Sequence, residues 1–252
     1  MAGLAFRSFA LTHPGTRRRL NEDSYVDRAE AGLWAVADGV GGADAGEVAS
    51  ASGSAALAAI PAGLPGEQML AELRQRLQAV HGELQTMAAA RNPPGTIAST
   101  AVVLMAAGMY FACLWAGDSR SYLLRDGVLR RLTRDHSLVQ AMVDAGTLSE
   151  AEADHHPRAN IITRAVGADI DDLVLDKVSG RLQHGDRFLL CSDGLCKTVP
   201  FRQMADLMGT DNGVPPPQSL IAAALALDVT DNVTAVAVEI PPAAGECGAR
   251  HD

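Results

Sequence analysis

The chain has 252 residues, 48% of them apolar, with 21 Lys and Arg against 30 Asp and Glu and a formal net charge of -9. That length allows one large domain or two small ones, and the apolar share supports a sizeable core. The negative balance argues against a nucleic-acid surface, which needs a basic face, and suits an acidic metal site better than an anionic-lipid binder.

In chain order, strand-like segments come first, over residues 5–11 and 32–37. Small residues over 45–60 suit a closely packed helix, and 61–66 is a turn. Over 67–90, Met69, Leu70, Leu73, Leu77, Val80, Leu84 and Met87 recur at spacings of three and four, which predicts an amphipathic helix. After the break Asn92-Pro93-Pro94-Gly95 the pattern changes to short strands and tight turns. Segments 100–106 and 110–116 join through Ala107-Gly108, and 121–125 and 128–132 through Asp126-Gly127, both hairpin signals. A helix is expected over 137–145, followed by a polar loop with His155-His156-Pro157. Strands return at 173–179 and 188–192, helices at 201–208 and 219–226, and a last strand at 234–240.

Pro215-Pro216-Pro217 is too short for an interdomain linker, and no repeat of roughly 20–50 residues occurs. The chain therefore reads as one α+β domain over residues 1–242, helices outside antiparallel sheets, with 243–252 as a disordered tail. No apolar run approaches the roughly 20 residues that cross a bilayer, and residues 1–11 lack the layout of a signal peptide. Cys113, Cys191, Cys196 and Cys247 show no C-x-x-C spacing, so neither structural zinc nor a disulfide framework is expected. A reduced, cytoplasmic protein is the reading.

Four apolar runs meet an aspartate. Residues 33–37 end at Asp38-Gly39, 110–116 at Gly117-Asp118-Ser119 and 188–192 at Asp193-Gly194, while Asp231-Asn232 opens 233–240. One such Asp is ordinary turn chemistry. Four from distant strands read as one acidic cluster for hard cations. Without companion His or Cys ligands, an all-oxygen set suits magnesium, calcium or manganese rather than zinc or copper. Two such ions can activate a water and stabilise in-line displacement at phosphorus. A guanidinium fork matches phosphate oxygens, and the dense cluster Arg17-Arg18-Arg19 lies just ahead of Glu22-Asp23. The combination describes a phosphate-ester hydrolase.

Seven blocks then occur in order: Arg18-Arg19-Leu20-Asn21-Glu22-Asp23, Ala37-Asp38-Gly39-Val40-Gly41-Gly42, Gly117-Asp118-Ser119-Arg120, Leu132-Thr133-Arg134-Asp135-His136-Ser137, Ile162-Thr163-Arg164-Ala165-Val166-Gly167, Ser192-Asp193-Gly194-Leu195 and Asp231-Asn232-Val233-Thr234. The series resembles the metal-dependent protein phosphatases of the type 2C class, the PPM family, in their compact bacterial form. The resemblance spans about residues 9–240. It implies a β-sandwich of two antiparallel sheets flanked by helices on both sides (αββα). It also implies hydrolysis of phosphoserine and phosphothreonine by direct attack of a metal-activated water.

By the same resemblance, Asp38 bridges two Mn2+ or Mg2+ ions, the Gly39 carbonyl adds a ligand, and Asp193 and Asp231 complete the shell. Glu22 and Asp23 act mainly through water, Arg18 takes the substrate phosphate, and Asp118 marks a third, weaker metal. The implied partners are phosphorylated proteins, the marks of a bacterial serine/threonine kinase, with no nucleic acid and no membrane; a monomer is expected. Two departures stand out. Val40 follows the Asp-Gly where some members carry a histidine that could protonate the leaving group, and Ala43-Asp44 follows the Gly-Gly where many bacterial members have one. Residues 145–160 match the family's variable flap.

Other readings remain. The same residues could serve a pseudophosphatase that binds phosphoproteins, or a two-metal hydrolase of small phosphate esters. His136, Arg120 and Arg164 read as structural, His155-His156 as a solvated loop, and Asp44 as a helix cap. Gly39-Val40-Gly41-Gly42 lacks the Gly-Lys-Ser/Thr and βαβ context of a nucleotide loop.

Overall fold

The computed structural model describes residues 4–40, 45–93, 95–153, 156–168 and 171–241. The expectations for Gly41-Gly42, Ala43-Asp44, Pro94, His155, Cys247 and the tail 243–252 lie outside those residues.

Strands β1 (Arg7–His13), β2 (Asp23–Arg28) and β3 (Leu33–Val40) lead into helices α1 (Ala45–Ala58) and α2 (Gly66–Ala89). A short β4 (Ala98–Ser99) precedes β5 (Ala101–Ala107), β6 (Tyr110–Ala116), β7 (Arg120–Arg125) and β8 (Val128–Arg131). Then come α3 (Leu138–Asp144), α4 (Glu150–Ala153), β9 (Asp176–Arg181), β10 (Arg187–Cys191) and α5 (Asp193–Cys196). Helices α6 (Phe201–Gly209) and α7 (Pro216–Ala226) and strand β11 (Val233–Glu239) complete the chain. One sheet has the order β1-β11-β10-β7-β8 and the other β2-β3-β5-β6-β9, with β4 added on β3. Every pairing is antiparallel.

The period-2 alternation of strands explains the layers. On β5, Val102 and Leu104 face the inside of the sandwich, where they meet Trp34, Phe188 and Val236. Their neighbours Ala101, Val103 and Met105 face outward onto Leu57, Leu73 and Leu77 of α1 and α2. The other sheet buries Leu189, Ala235 and Ala237 under Met204, Met208, Leu220 and Ile221 of α6 and α7. Central strands are thus covered on both faces, which is why they read as continuous apolar runs. The predicted αββα sandwich of antiparallel sheets is the observed one.

The turns follow their residues. Asp126 and Gly127 both take positive φ, +52° and +75°, the pair a type I′ hairpin turn requires. In the β5–β6 hairpin the loop is Gly108-Met109, one residue later than expected, with Ala107 paired to Tyr110.

Several expectations need correction. The edge strand β2 went unread because Asp23-Ser24-Tyr25-Val26-Asp27-Arg28 is mostly polar, only Asp23 and Val26 being buried. Strand β9 starts at Asp176 rather than at residue 173, since Leu173 and Leu175 pack on the α1–α2 layer instead of joining the sheet. Met87 leaves the apolar stripe of α2, which runs through Val80, His81, Leu84 and Ala88. Asp38 does not end its strand either: β3 continues because Gly39 and Val40 pair with Ser99 and Ala98 of β4. Within the flap, Ser149 and Glu152 cap α4 reciprocally, the Ser149 amide donating to Glu152 Oε2 (2.9 Å) and the Glu152 amide to Ser149 Oγ (3.3 Å). Among the described residues no helix is long and apolar enough to cross a membrane.

Candidate metal and phosphate site

A cleft of about 570 Å³ opens where Arg18, Glu22, Asp38, Gly39, Asp118, Asp193 and Asp231 come together. Asp23 lies behind its floor, 8% exposed. A larger cleft of about 930 Å³ lies by Leu64, Met69 and Phe111; Glu30 and Glu67 are its only acids, and it holds none of the predicted residues.

Backbone pairing fixes the acids. The Asp38 amide donates to Thr100 Oγ1 (3.0 Å), and the Asp38 carbonyl accepts from the Thr100 amide (2.8 Å) and Ser99 Oγ (3.0 Å). The Gly39 amide donates to the Glu22 carbonyl (3.1 Å), which docks the 14–22 loop on β3. Asn232 ties that loop to the opposite sheet: its Oδ1 accepts from the Glu22 amide (2.9 Å), and its Nδ2 donates to the carbonyls of Pro14 (3.0 Å) and Leu20 (2.9 Å). Two glycines permit the close approaches. A Cβ on Gly39 would lie 2.2 Å from the Gly46 carbonyl oxygen, and one on Gly194 would lie 2.0 Å from that of Asn232.

The carboxylates crowd one another. Burial, then the charges of Asp23, Asp193 and Asp118, hold the Asp38 carboxyl well above the usual range. Burial pushes Asp23 up to about 7, although Ser192 Oγ and Thr234 Oγ1 each donate to its Oδ2 at 2.7 Å. Burial, then Asp193, lifts Asp118 to about 6, with Lys197 pulling the other way. Asp23 Oδ1 and Asp118 Oδ1 are buried without a hydrogen-bond partner. The orphaned Asp23 oxygen and the mutually repelling acids around Asp38 are what a bound hard cation relieves, so the donor set fits one.

The cations already at the cleft are Arg18, Arg19 and Lys197. Arg18 forks onto Asp231, Nε to Oδ1 and Nη2 to Oδ2, both at 3.0 Å. Lys197 Nζ lies 2.9 Å from Asp118 Oδ2 and 2.8 Å from Asp193 Oδ2. Among the described residues no three acidic, His or Cys side chains already surround one common centre.

Lys197 is the site residue that sequence reading missed. Its signal was Asp193-Gly194-Leu195-Cys196-Lys197: a one-turn helix would put residues four apart on one face. The residues read as structural are engaged away from the chemistry. Arg120 Nη2 reaches Asp135 Oδ2 at 2.7 Å. Arg164 Nη1 reaches Asp176 Oδ1 at 2.7 Å. His136 stacks on Trp115, with its Nε2 3.2 Å from Asp176 Oδ2. Arg17 makes a long, exposed contact with Asp228, 3.9 Å apart.

Sandwich and cleft together define a class, the metal-dependent phosphatases built as two antiparallel sheets between helix pairs. The family model described as Protein phosphatase 2C matches residues 16–214, and the chain belongs to that family. It is 35% identical over 237 residues to the serine/threonine protein phosphatase PstP of Mycobacterium tuberculosis. That match covers 94% of this chain and 45% of the relative, so the chain spans about half the length of that curated relative. Among solved structures, it is similar to PppA of Pseudomonas aeruginosa, described as a key regulatory component of T6SS, with 40% identity and a TM-score of 0.86. That match covers 94% of this chain and 98% of the other. A structure of the PstP catalytic domain in complex with two manganese ions is 32% identical with a TM-score of 0.80, covering 94% and 99%.

Proposed function

We propose that this protein is a serine/threonine protein phosphatase that removes phosphate from phosphoserine and phosphothreonine. The observation that carries the reading is the convergence of Asp38, Asp193 and Asp231 with Arg18 at one cleft. Asp38, the Gly39 carbonyl, Asp193 and Asp231 would hold two Mn2+ or Mg2+ ions, with Glu22 and Asp23 acting through water. Bound there, the ions would activate the attacking water and neutralise charge developing on the phosphoryl group. Arg18, on its exposed fork, would exchange Asp231 for the substrate phosphate, whose oxygens match the guanidinium in the same bidentate way. Asn232 holds Glu22 and the arginine loop in register with the floor. Val40 offers no proton at the cleft, so the leaving alkoxide draws its proton from elsewhere in the site.

Phosphorylated proteins are the proposed substrates, in particular those marked by a bacterial serine/threonine kinase. The thiols Cys113, Cys191 and Cys196 are unpaired, which fits the reducing cytoplasm, and we read the protein as a monomer there, its catalytic domain spanning residues 1–242.

The test is phosphate release at saturating Mn2+ from a phosphothreonine peptide, a nucleotide and a sugar phosphate. The peptide is expected to be turned over best. Faster turnover of either small ester would make this a small-phosphoester hydrolase, and peptide affinity without turnover would make it a binding module. Arg18→Ala is expected to lower kcat/KM on the peptide about 10- to 100-fold, the scale of one lost charge-assisted contact, mostly through KM. Arg18→Lys should recover only part, since an ammonium keeps the charge but not the fork. Unchanged initial rates for the alanine variant would remove Arg18 from the site.

A further inference from the structure

We propose that the Lys197 ammonium serves as a built-in cation at Asp118, closing that corner of the cleft to a third divalent ion. The proposal rests on the two-metal reading above for the neighbouring Asp38 pair, but not on turnover.

Lys197 Nζ meets three oxygens: Asp118 Oδ2 at 2.9 Å, Asp193 Oδ2 at 2.8 Å and Asn160 Oδ1 at 3.1 Å. They come from the loop after β6, the first residue of α5 and the flap. Two carboxylates and an amide carbonyl from separate segments form the donor set of a hard cation. An ammonium has three N–H donors and no acceptor, so three oxygens saturate it.

The lysine is also tethered. It caps α5, and its backbone amide donates to the Asp193 carbonyl at 2.8 Å, so its stem rises on the same face as the Asp193 carboxylate. The Asp118 side chain beneath it is only 2% exposed, so bulk water contributes little to balancing its charge.

A divalent ion would have to share this corner with the ammonium. Asp118 Oδ2, Asp193 Oδ2 and Asn160 Oδ1 are engaged by the ammonium, and Asp118 Oδ1 is buried beside it without a hydrogen-bond partner. Even with waters filling most of its shell, an ion held through these carboxylates would have to displace the ammonium or sit against its positive charge. The lysine thereby also links the flap, through Asn160, to the acids of the floor. Asp118 then acts in this chain as a positioning residue for Lys197 rather than as a metal ligand.

The experiment counts Mn2+ bound to the full chain by equilibrium dialysis and metal analysis at millimolar free Mn2+, with folding followed by circular dichroism. Wild type is expected to bind two ions. Lys197→Ala should bind three, and so should Lys197→Met, which keeps the stem and removes only the charge. The third ion should be lost again when Asp118→Asn is added to either. Three ions on wild type, or only two on both lysine variants, would overturn the proposal. Fewer than two on wild type would overturn the two-metal reading, and this proposal with it.

Discussion

Asp38→Asn is expected to lower kcat/KM on a phosphothreonine peptide by about 10³-fold, roughly 4 kcal/mol of barrier. Asp38 is the acid placed among the others, with the charges of Asp23, Asp193 and Asp118 all bearing on it. Its backbone is fixed by Thr100 and Ser99 independently of the side chain, so the amide variant should fold with the same loop geometry. Burial and the neighbouring acids make the Asp38 carboxyl costly to ionise, and a neutral amide removes that cost in the metal-free protein. The variant should therefore match or exceed wild-type thermal stability without metal, yet gain less from added Mn2+. Stopped assays of phosphate release, paired with thermal melts at increasing Mn2+, check both halves. Wild-type rates in this variant would exclude Asp38 from the chemistry.

Trp34→Ala should be the most damaging single change to the fold, at about 3–5 kcal/mol. Trp34 is fully buried on β3 inside the sandwich, with Phe6 edge-on at 5.2 Å between ring centroids. In a chain of this size that loss corresponds to a melting temperature lower by roughly 6–20 °C. Trp34→Phe should cost far less, because the indole N–H has no hydrogen-bond partner and its removal strands nothing. Urea unfolding of the pair checks the order; a loss below about 1 kcal/mol for the alanine variant would contradict the placement of Trp34 in the inter-sheet core.

Where pattern and environment agree, the fold was legible in the sequence. The stripe of α2 and the Asp-Gly turn between β7 and β8 state their own geometry, and strands covered on both faces announce themselves as apolar runs. Strand β2 did not, because an edge strand with one face in water carries only half of that signal. Nor did α5, a single turn too short for any periodicity, although it sets the reach of Lys197. Asp38, Asp118, Asp193 and Asp231 were legible through their motifs, since each lies near the end of a core strand. Their supports were not. Ser192 and Thr234 beneath Asp23, and Asn232 beneath Glu22, are linked by distances of about 170 to 210 positions along the chain, which only the sheet pairing brings together. Lys197 escaped for a related reason. A lysine four residues from an aspartate is commonplace on helix surfaces, and only the fold shows Asp118 and Asn160 waiting on its other side.

The central claim is a divalent-metal-dependent phosphatase centred on Asp38, Asp193 and Asp231. Its most direct test is phosphate release from a phosphothreonine peptide by the full chain, first stripped with chelator and then titrated with Mn2+. The account predicts no release from the stripped protein, recovery on titration, and no recovery in Asp193→Asn. Release that survives chelation, or an Asp193→Asn variant as active as wild type, would contradict it.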